Sequence, residues 1–157
     1  MHRPGAKVRL ESGLVDNSGE LVMPKLPRTR ARAEVTVRSH HASPYDDAVG
    51  PALVEIHIEE VFAGDLEGSS RARALQAAFD DKTAVLLTLQ RFEGRLADKS
   101  GTFVLQGQGS VQQGRIDVTW SVVPGSGTGE LAGLRGDGGF EGAFGSGSNA
   151  TLDFWFE

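Results

Sequence analysis

The stretch Val122-Val123-Pro124-Gly125-Ser126-Gly127-Thr128-Gly129-Glu130-Leu131-Ala132-Gly133-Leu134-Arg135-Gly136-Asp137-Gly138-Gly139-Phe140-Glu141-Gly142-Ala143-Phe144-Gly145-Ser146-Gly147 decides how the rest of the chain is read. It holds ten of the 21 glycines. So much glycine means either a disordered tail or ordered backbone making turns and close approaches that a side chain would block. Leu131, Leu134, Phe140 and Phe144 break the run at intervals, which is the texture of ordered backbone. On one side Ile116, Val118, Trp120 and Val122 alternate with Asp117, Thr119 and Ser121. On the other, Leu152, Phe154 and Phe156 alternate with Thr151, Asp153 and Trp155. A period of two is the mark of a half-buried strand, so the run joins two strands and carries one of its own around Phe140 to Phe144.

Further out the same period recurs. Ala31, Ala33, Val35 and Val37 alternate with charged and polar residues, and Val54, Ile56, Ile58 and Phe62 do so up to Gly64-Asp65. Residues 83–96 form a long strand with Leu86, Thr88, Gln90 and Phe92 on one face, and Thr102 to Gln106 form another. Ser69 to Phe79 has a weaker pattern and is assigned to a strand from its neighbours. Ser39 to Gly50, Asp80-Asp81-Lys82, Asp98-Lys99-Ser100-Gly101 and Gln112-Gln113-Gly114 carry turn chemistry. About eight evenly spaced strands with no helix predict an all-β fold, an antiparallel β-barrel in preference to a sandwich. A barrel of that size is just wide enough to be filled by side chains or to hold one small ligand. The faces that point inward carry Val54, Ile56, Ile58, Leu86, Phe103, Leu105, Val118, Trp120, Leu152, Phe154 and Phe156. Trp155 is out of phase and faces outward, under the N-terminal residues or in a homodimer interface.

The chain has 157 residues, enough for one domain, barrel residues 30–157 preceded by an extension, 1–29. The extension shows no sustained period, and its prolines and glycines predict little regular structure; it is a passive tail or a lid over one mouth of the barrel. Residues 1–33 carry seven Lys/Arg against three Asp/Glu, and the acidic remainder brings the net charge to −5. An acidic body argues against a nucleic-acid partner. The absence of cysteine excludes a disulfide framework and thiolate chemistry. No apolar run of membrane-spanning length is present, and the expectation is a cytoplasmic protein with no membrane partner.

Several stretches together resemble a known family: Phe62-Ala63-Gly64-Asp65-Leu66-Glu67-Gly68, Ser100-Gly101-Thr102-Phe103-Val104-Leu105-Gln106, Thr119 through Gly136, and Thr151-Leu152-Asp153. They look like a bacterial family catalogued as a domain of unknown function, number 3224, whose members resemble the allene oxide cyclase barrel. The resemblance covers about residues 30–157. It implies a small antiparallel barrel related in shape to cofactor-free cyclases and dirigent proteins, and brings no activity with it. Two positions depart from the family pattern, in which a Glu is usual where Gln90 stands and a His where Gly107 stands. The extension is similar in placement to the N-terminal segments with which some barrel cyclases of specialised metabolism cap their pocket.

Gly127-Thr128-Gly129-Glu130-Leu131-Ala132 fits a dinucleotide fingerprint, but that motif must open a helix, and here more glycines follow. Neither a phosphate-binding P-loop nor a Ser-hydrolase elbow is present. His40-His41 with Asp46-Asp47 suggests a metal, yet adjacent strand residues point to opposite faces, and these read as solvated loop residues. Asn149-Ala150-Thr151 matches a glycosylation acceptor by chance. No cofactor or metal is expected.

Two polar residues break apolar faces. Glu60 continues the series Val54, Ile56, Ile58, and Gln90 sits between Thr88 and Phe92. Glu60 is either a desolvated acid or base in a pocket or a rim residue paired with an arginine. Gln90 either polarises a substrate carbonyl through its amide or satisfies buried backbone. Phe62, Phe92, Phe103, Trp120 and Phe154, with Met23 from the extension, are the expected substrate-binding residues of an apolar lumen. The expected function is a cofactor-independent cyclase or isomerase of a small hydrophobic, polyene- or polyketide-like substrate. A pericyclic cyclisation in specialised-metabolite biosynthesis is one form of it. The alternatives are a non-catalytic binder of a small hydrophobic ligand and a fully packed barrel.

Overall fold

The computed structural model describes residues 27–143 and 147–157, together with the backbone of three short N-terminal strands. These are β1 (Val8–Leu10), β2 (Gly13–Val15) and β3 (Leu21–Val22), paired antiparallel in that order. The expectation of little regular structure before residue 30 is corrected to that extent; Met23 lies outside the described residues.

Eight strands follow: β4 (Thr29–Asp46), β5 (Ala52–Gly64), β6 (Leu66–Asp80), β7 (Thr83–Leu96), β8 (Lys99–Gln112), β9 (Arg115–Val122), β10 (Leu134–Ala143) and β11 (Ser148–Phe156). Each pairs antiparallel with the next, and β11 returns to β4 with Leu152 opposite Ala31 and Ala150 opposite Ala33, closing the barrel. Closure removes the free edges that an open sheet of this apolarity would expose.

β4 is much longer than its alternating segment suggests. Ser39 to Asp46, read as a turn, pairs with β5 instead, from Ser39 opposite Glu59 to Asp46 opposite Leu53. Bulges between Val37 and Ser39 and between Pro44 and Asp46 absorb the extra residues. Beyond Val35 this strand no longer meets β11, so Pro44 interrupts no ladder on that side. The turn between β7 and β8 is likewise shorter than expected and spans Ala97 and Asp98.

The interior has two halves. At the end where Gly64, Leu96 and Val122 leave their strands, Phe62, Phe92, Phe103 and Trp120 pack with Leu66, Leu105, Leu131, Leu134, Leu152 and Phe154. The Phe62 and Phe92 rings meet edge-on at 5.3 Å, and Phe92 and Phe103 are 5.1 Å apart. Trp120 Nε1 donates to the Thr151 carbonyl at 3.0 Å, which satisfies its one polar group. The other half is aliphatic and smaller in side-chain volume: Val54, Ile56, Ala74, Ala84, Leu86, Val111 and Val118.

The glycine run closes the aromatic end. β9 pairs with β8 only from Leu105 onward, which would leave the preceding β8 amides without partners. The loop supplies them: Val104 N donates to Ser126 Oγ at 3.0 Å, Thr102 N to Thr128 Oγ1 at 3.1 Å, and Thr128 N to the Thr102 carbonyl at 2.9 Å. A short 3₁₀ turn, Gly129–Leu131, then drives Leu131 into the core, where it is fully buried. A Cβ on Gly101 would collide with the Thr128 carbonyl oxygen, and one on Gly127 with that of Leu131, so the plug needs glycine at both. The outward Trp155 is half-buried, with the Arg28 guanidinium 4.2 Å above its ring and also 3.5 Å from Asp137. Arg28, just before β4, thus contacts the barrel at its plugged end.

Candidate functional site

The aliphatic half is hollow. A cavity of about 280 Å3 lies between β4–β8 and the ends of β9–β11. Its walls are Val54, Ile56, Ile58, Ala72, Ala74, Leu86, Thr88, Val111, Ile116 and Phe140. The volume is near the lower end of small-molecule sites, and corresponds to roughly nine waters at about 30 Å3 each. It forms because Ala72 and Ala74 stand where β6 would otherwise fill the lumen. It opens where β4, past Val35, parts from the β10–β11 hairpin, between Val37, His40 and Ala42 on one side and Ala143, Gly147 and Ser148 on the other.

Its floor carries the polar residues that sequence singled out, and one that sequence missed. Glu60 on β5 lies directly opposite Ser70 on β6, and Gln90 on β7 is one inward position further along. All three are buried, with 8%, 3% and 3% of their surface exposed. The Gln90 amide donates from Nε2 to Glu60 Oε1 at 2.7 Å and to Ser70 Oγ at 2.6 Å. The cluster rests on Phe62 and Phe92, which follow Glu60 and Gln90 on the same faces. Ser70 gave no signal because the pattern of its strand is weak and serine is common on either face of a sheet.

Glu60 is not an arginine-paired rim residue: among the described residues it makes no ion pair. Burial pushes its carboxyl above the ordinary carboxylate range, and hydrogen bonding by Gln90 and Ser70 offsets part of that. Gln90 has both amide hydrogens engaged, so it has no donor left with which to polarise a substrate carbonyl. It positions Glu60 instead.

The aromatic residues expected to bind substrate are placed elsewhere. Phe62, Phe92, Phe103, Trp120 and Phe154 belong to the close-packed half and are not on the cavity wall. The physical reason is that large rings on neighbouring strands fill the lumen, and only the aliphatic and alanine levels leave space. Among the described residues, Phe140 is the phenylalanine or tryptophan that reaches the cavity, 5.2 Å from Trp120 ring to ring. The bulge after Val37 brings in a second unexpected residue. It shifts the phase of β4 so that His40 pairs with Ile58, an inward position, and lines the cavity mouth, while His41 pairs with His57 on the outer face. The two histidines therefore do not share a site. No three His, Asp or Glu side chains converge as a metal site among the described residues. Gly107 lies opposite cavity-lining Thr88, and a Cβ there would stand 2.6 Å from Thr88 Oγ1.

The chain is thus a closed antiparallel eight-stranded barrel, plugged at one end and hollow at the other, with one buried carboxyl on the floor of an apolar cavity. Residues 31–155 match the family described as "Protein of unknown function (DUF3224)", and the chain belongs to that family. It is similar to the crystal structure of a protein of unknown function from the DUF3224 family of Shewanella oneidensis MR-1. The two are 25% identical with a TM-score of 0.67, over 83% of this chain and 98% of that one. No curated protein matches the sequence.

Proposed function

We propose that the barrel is a cofactor-independent isomerase or cyclase that takes a small apolar molecule bearing one carbonyl or hydroxyl group, with Glu60 as its acid and base. The observation that carries this reading is a carboxyl buried at the floor of an otherwise apolar cavity, held by two neutral hydrogen-bonding residues and by no cation. A purely structural carboxyl in such a place would cost stability with nothing in return. Neutral, Glu60 donates a hydrogen bond to a substrate oxygen and polarises it. Ionised, it accepts a proton from the adjoining carbon. A raised pKa brings the two forms closer to balance near neutrality. Gln90 donates to Glu60 Oε1 and holds the carboxyl in place while it gives and takes the proton. His40, at the mouth, is placed to act on the opposite end of a bound molecule, and the apolar walls confine the substrate to a reactive conformer.

The test has two stages. Binding of 2-naphthol, a fluorescent bicycle with a single hydroxyl, is followed with the full chain and with Ala74→Phe, which fills the cavity. Exchange of the carbon-bound protons next to the carbonyl of 2-cyclohexenone is then followed by NMR in heavy water. Glu60-dependent exchange, lost in Glu60→Gln, supports the enzyme. Binding that Ala74→Phe removes, with no exchange, leaves a non-catalytic hydrophobic-ligand carrier. The same cavity favours that second reading.

A further inference from the structure

The outer face of β6 and β7 departs from the rest of the barrel wall. On β4 the outward residues Arg30, Arg32, Glu34 and Thr36 are those of a solvated sheet. At the level of Leu75 and Leu87 the outward residues of β6 and β7 are apolar; the outward, exposed Arg73 precedes Leu75 by two residues, opposite Leu89, and is paired with Glu55. Leu75, Val85, Leu87 and Leu89 keep 49%, 51%, 58% and 59% of their surface exposed. Leu75 lies directly opposite Leu87, and Ala77 opposite Val85, with Leu89 next along its strand. Directly opposed residues have Cβ atoms about 5 Å apart, so these form one continuous patch, which scattered surface leucines do not.

Charge is distributed unequally along this patch. Arg71 lies opposite Arg91 at one end, four residues from Leu75 and Leu87 respectively. Both are exposed, and neither makes an ion pair among the described residues. At the other end the β6–β7 turn carries Asp80 and Asp81, five and six residues from the same two leucines. Lys82 offsets one of these acids and leaves that end net negative.

We propose that this face is the interface of a two-fold homodimer. The symmetry axis lies in the interface, perpendicular to the strands, at the level of Leu75 and Leu87. That operation lays β6 and β7 of one copy on the same strands of the other, running in the opposite direction. The leucine patch is buried against itself, as an isologous interface requires. Arg71 and Arg91 of each copy then lie over Asp80 and Asp81 of the other, since the two charged ends are nearly equidistant from the axis. An axis along the strands would stack arginine on arginine, so the charge pattern selects the first arrangement. The polar rim is formed by Gln108 on one flank and by Glu55 on the other, which pairs with Arg73 at 3.6 Å.

The test is sedimentation velocity of the full chain over a concentration series. The expected species has twice the 16.7 kDa mass of one chain. Leu87→Glu points to solvent and leaves the fold intact by circular dichroism and melting. It weakens association at least about thirtyfold, the loss expected at the centre of an interface. Arg91→Asp weakens it about tenfold, and adding Asp81→Arg to the same chain restores it. A monomeric full chain, a dimer indifferent to Leu87→Glu, or a charge swap that restores nothing each overturns the proposal. The chain has no cysteine of its own, so Leu87→Cys introduces a unique thiol. If that variant is monomeric and its thiol is nevertheless shielded from maleimide, the chain's own N-terminal residues cover the face and the dimer is refuted.

Discussion

Replacing Glu60 by Gln removes one titratable proton from the barrel interior while keeping its shape. Gln90 still finds an acceptor, because the new side-chain carbonyl takes the place of Glu60 Oε1. In the wild type, burial raises the Glu60 carboxyl from its ordinary value of 4.5. Between the unfolded and folded pKa values the folded chain therefore binds the extra proton. Stability falls as pH rises through that window and levels off above the folded pKa. Each unit of upward displacement is a loss of about 1.4 kcal/mol at high pH, which the Gln variant does not suffer. Urea unfolding followed by tryptophan fluorescence, at intervals between about pH 4 and pH 8, gives the difference between the two proteins at each pH. The variant is expected to gain on the wild type as pH rises above the ordinary carboxylate value, until the gain levels off above the folded pKa, while losing exchange activity. A difference independent of pH, or a variant less stable than wild type at neutral pH, would refute the claim that Glu60 is strained by desolvation.

Ser70→Ala removes one of the two hydrogen-bonding residues that hold the Glu60 charge, so the pH profile of substrate proton exchange is expected to move upward, read by NMR across the same range. Phe103→Ala is expected to cost about 3–5 kcal/mol in urea unfolding. It should leave 2-naphthol affinity unchanged, because Phe103 packs the plugged half and does not line the cavity. Leu131→Ala is expected to cost about 2–5 kcal/mol by the same assay, since this fully buried side chain is the plug itself. Gly127→Ala leaves every existing side chain in place but forces the loop away from the Leu131 carbonyl, and is expected to lower stability by about 1–3 kcal/mol in thermal melts.

The inward faces of the strands were legible because a period of two is a local property. Val54, Ile56, Phe103, Leu105, Val118, Trp120, Leu152 and Phe154 are all buried as the alternation predicts, and Ile58 and Phe156 are partly so; Leu86, on a strand apolar on both faces, is buried on the face that carries Thr88 and Gln90. Glu60 and Gln90 were found by the same means, as polar residues breaking an apolar face. Ser39 to Asp46 was misread because Ser, His and Pro favour turns in isolation. Pairing with β5 outweighs that preference, and two bulges absorb the mismatch. His40 was lost with it, since a single inserted residue reverses which side chains face the lumen.

Sequence by itself therefore determined a barrel of about eight strands, their inward faces, the ordered character of the glycine-rich run and the family, all of which rest on short-range pattern. Tertiary structure alone decided where the lumen is filled and where it is hollow. That depends on which side-chain volumes meet at the same level of a closed barrel: four phenylalanines and a tryptophan at one end, two alanines among short aliphatics at the other. Levels are set by register between strands far apart in the chain. No local window of sequence records that register, which is why the aromatics looked like a pocket and Ser70 did not look like part of one.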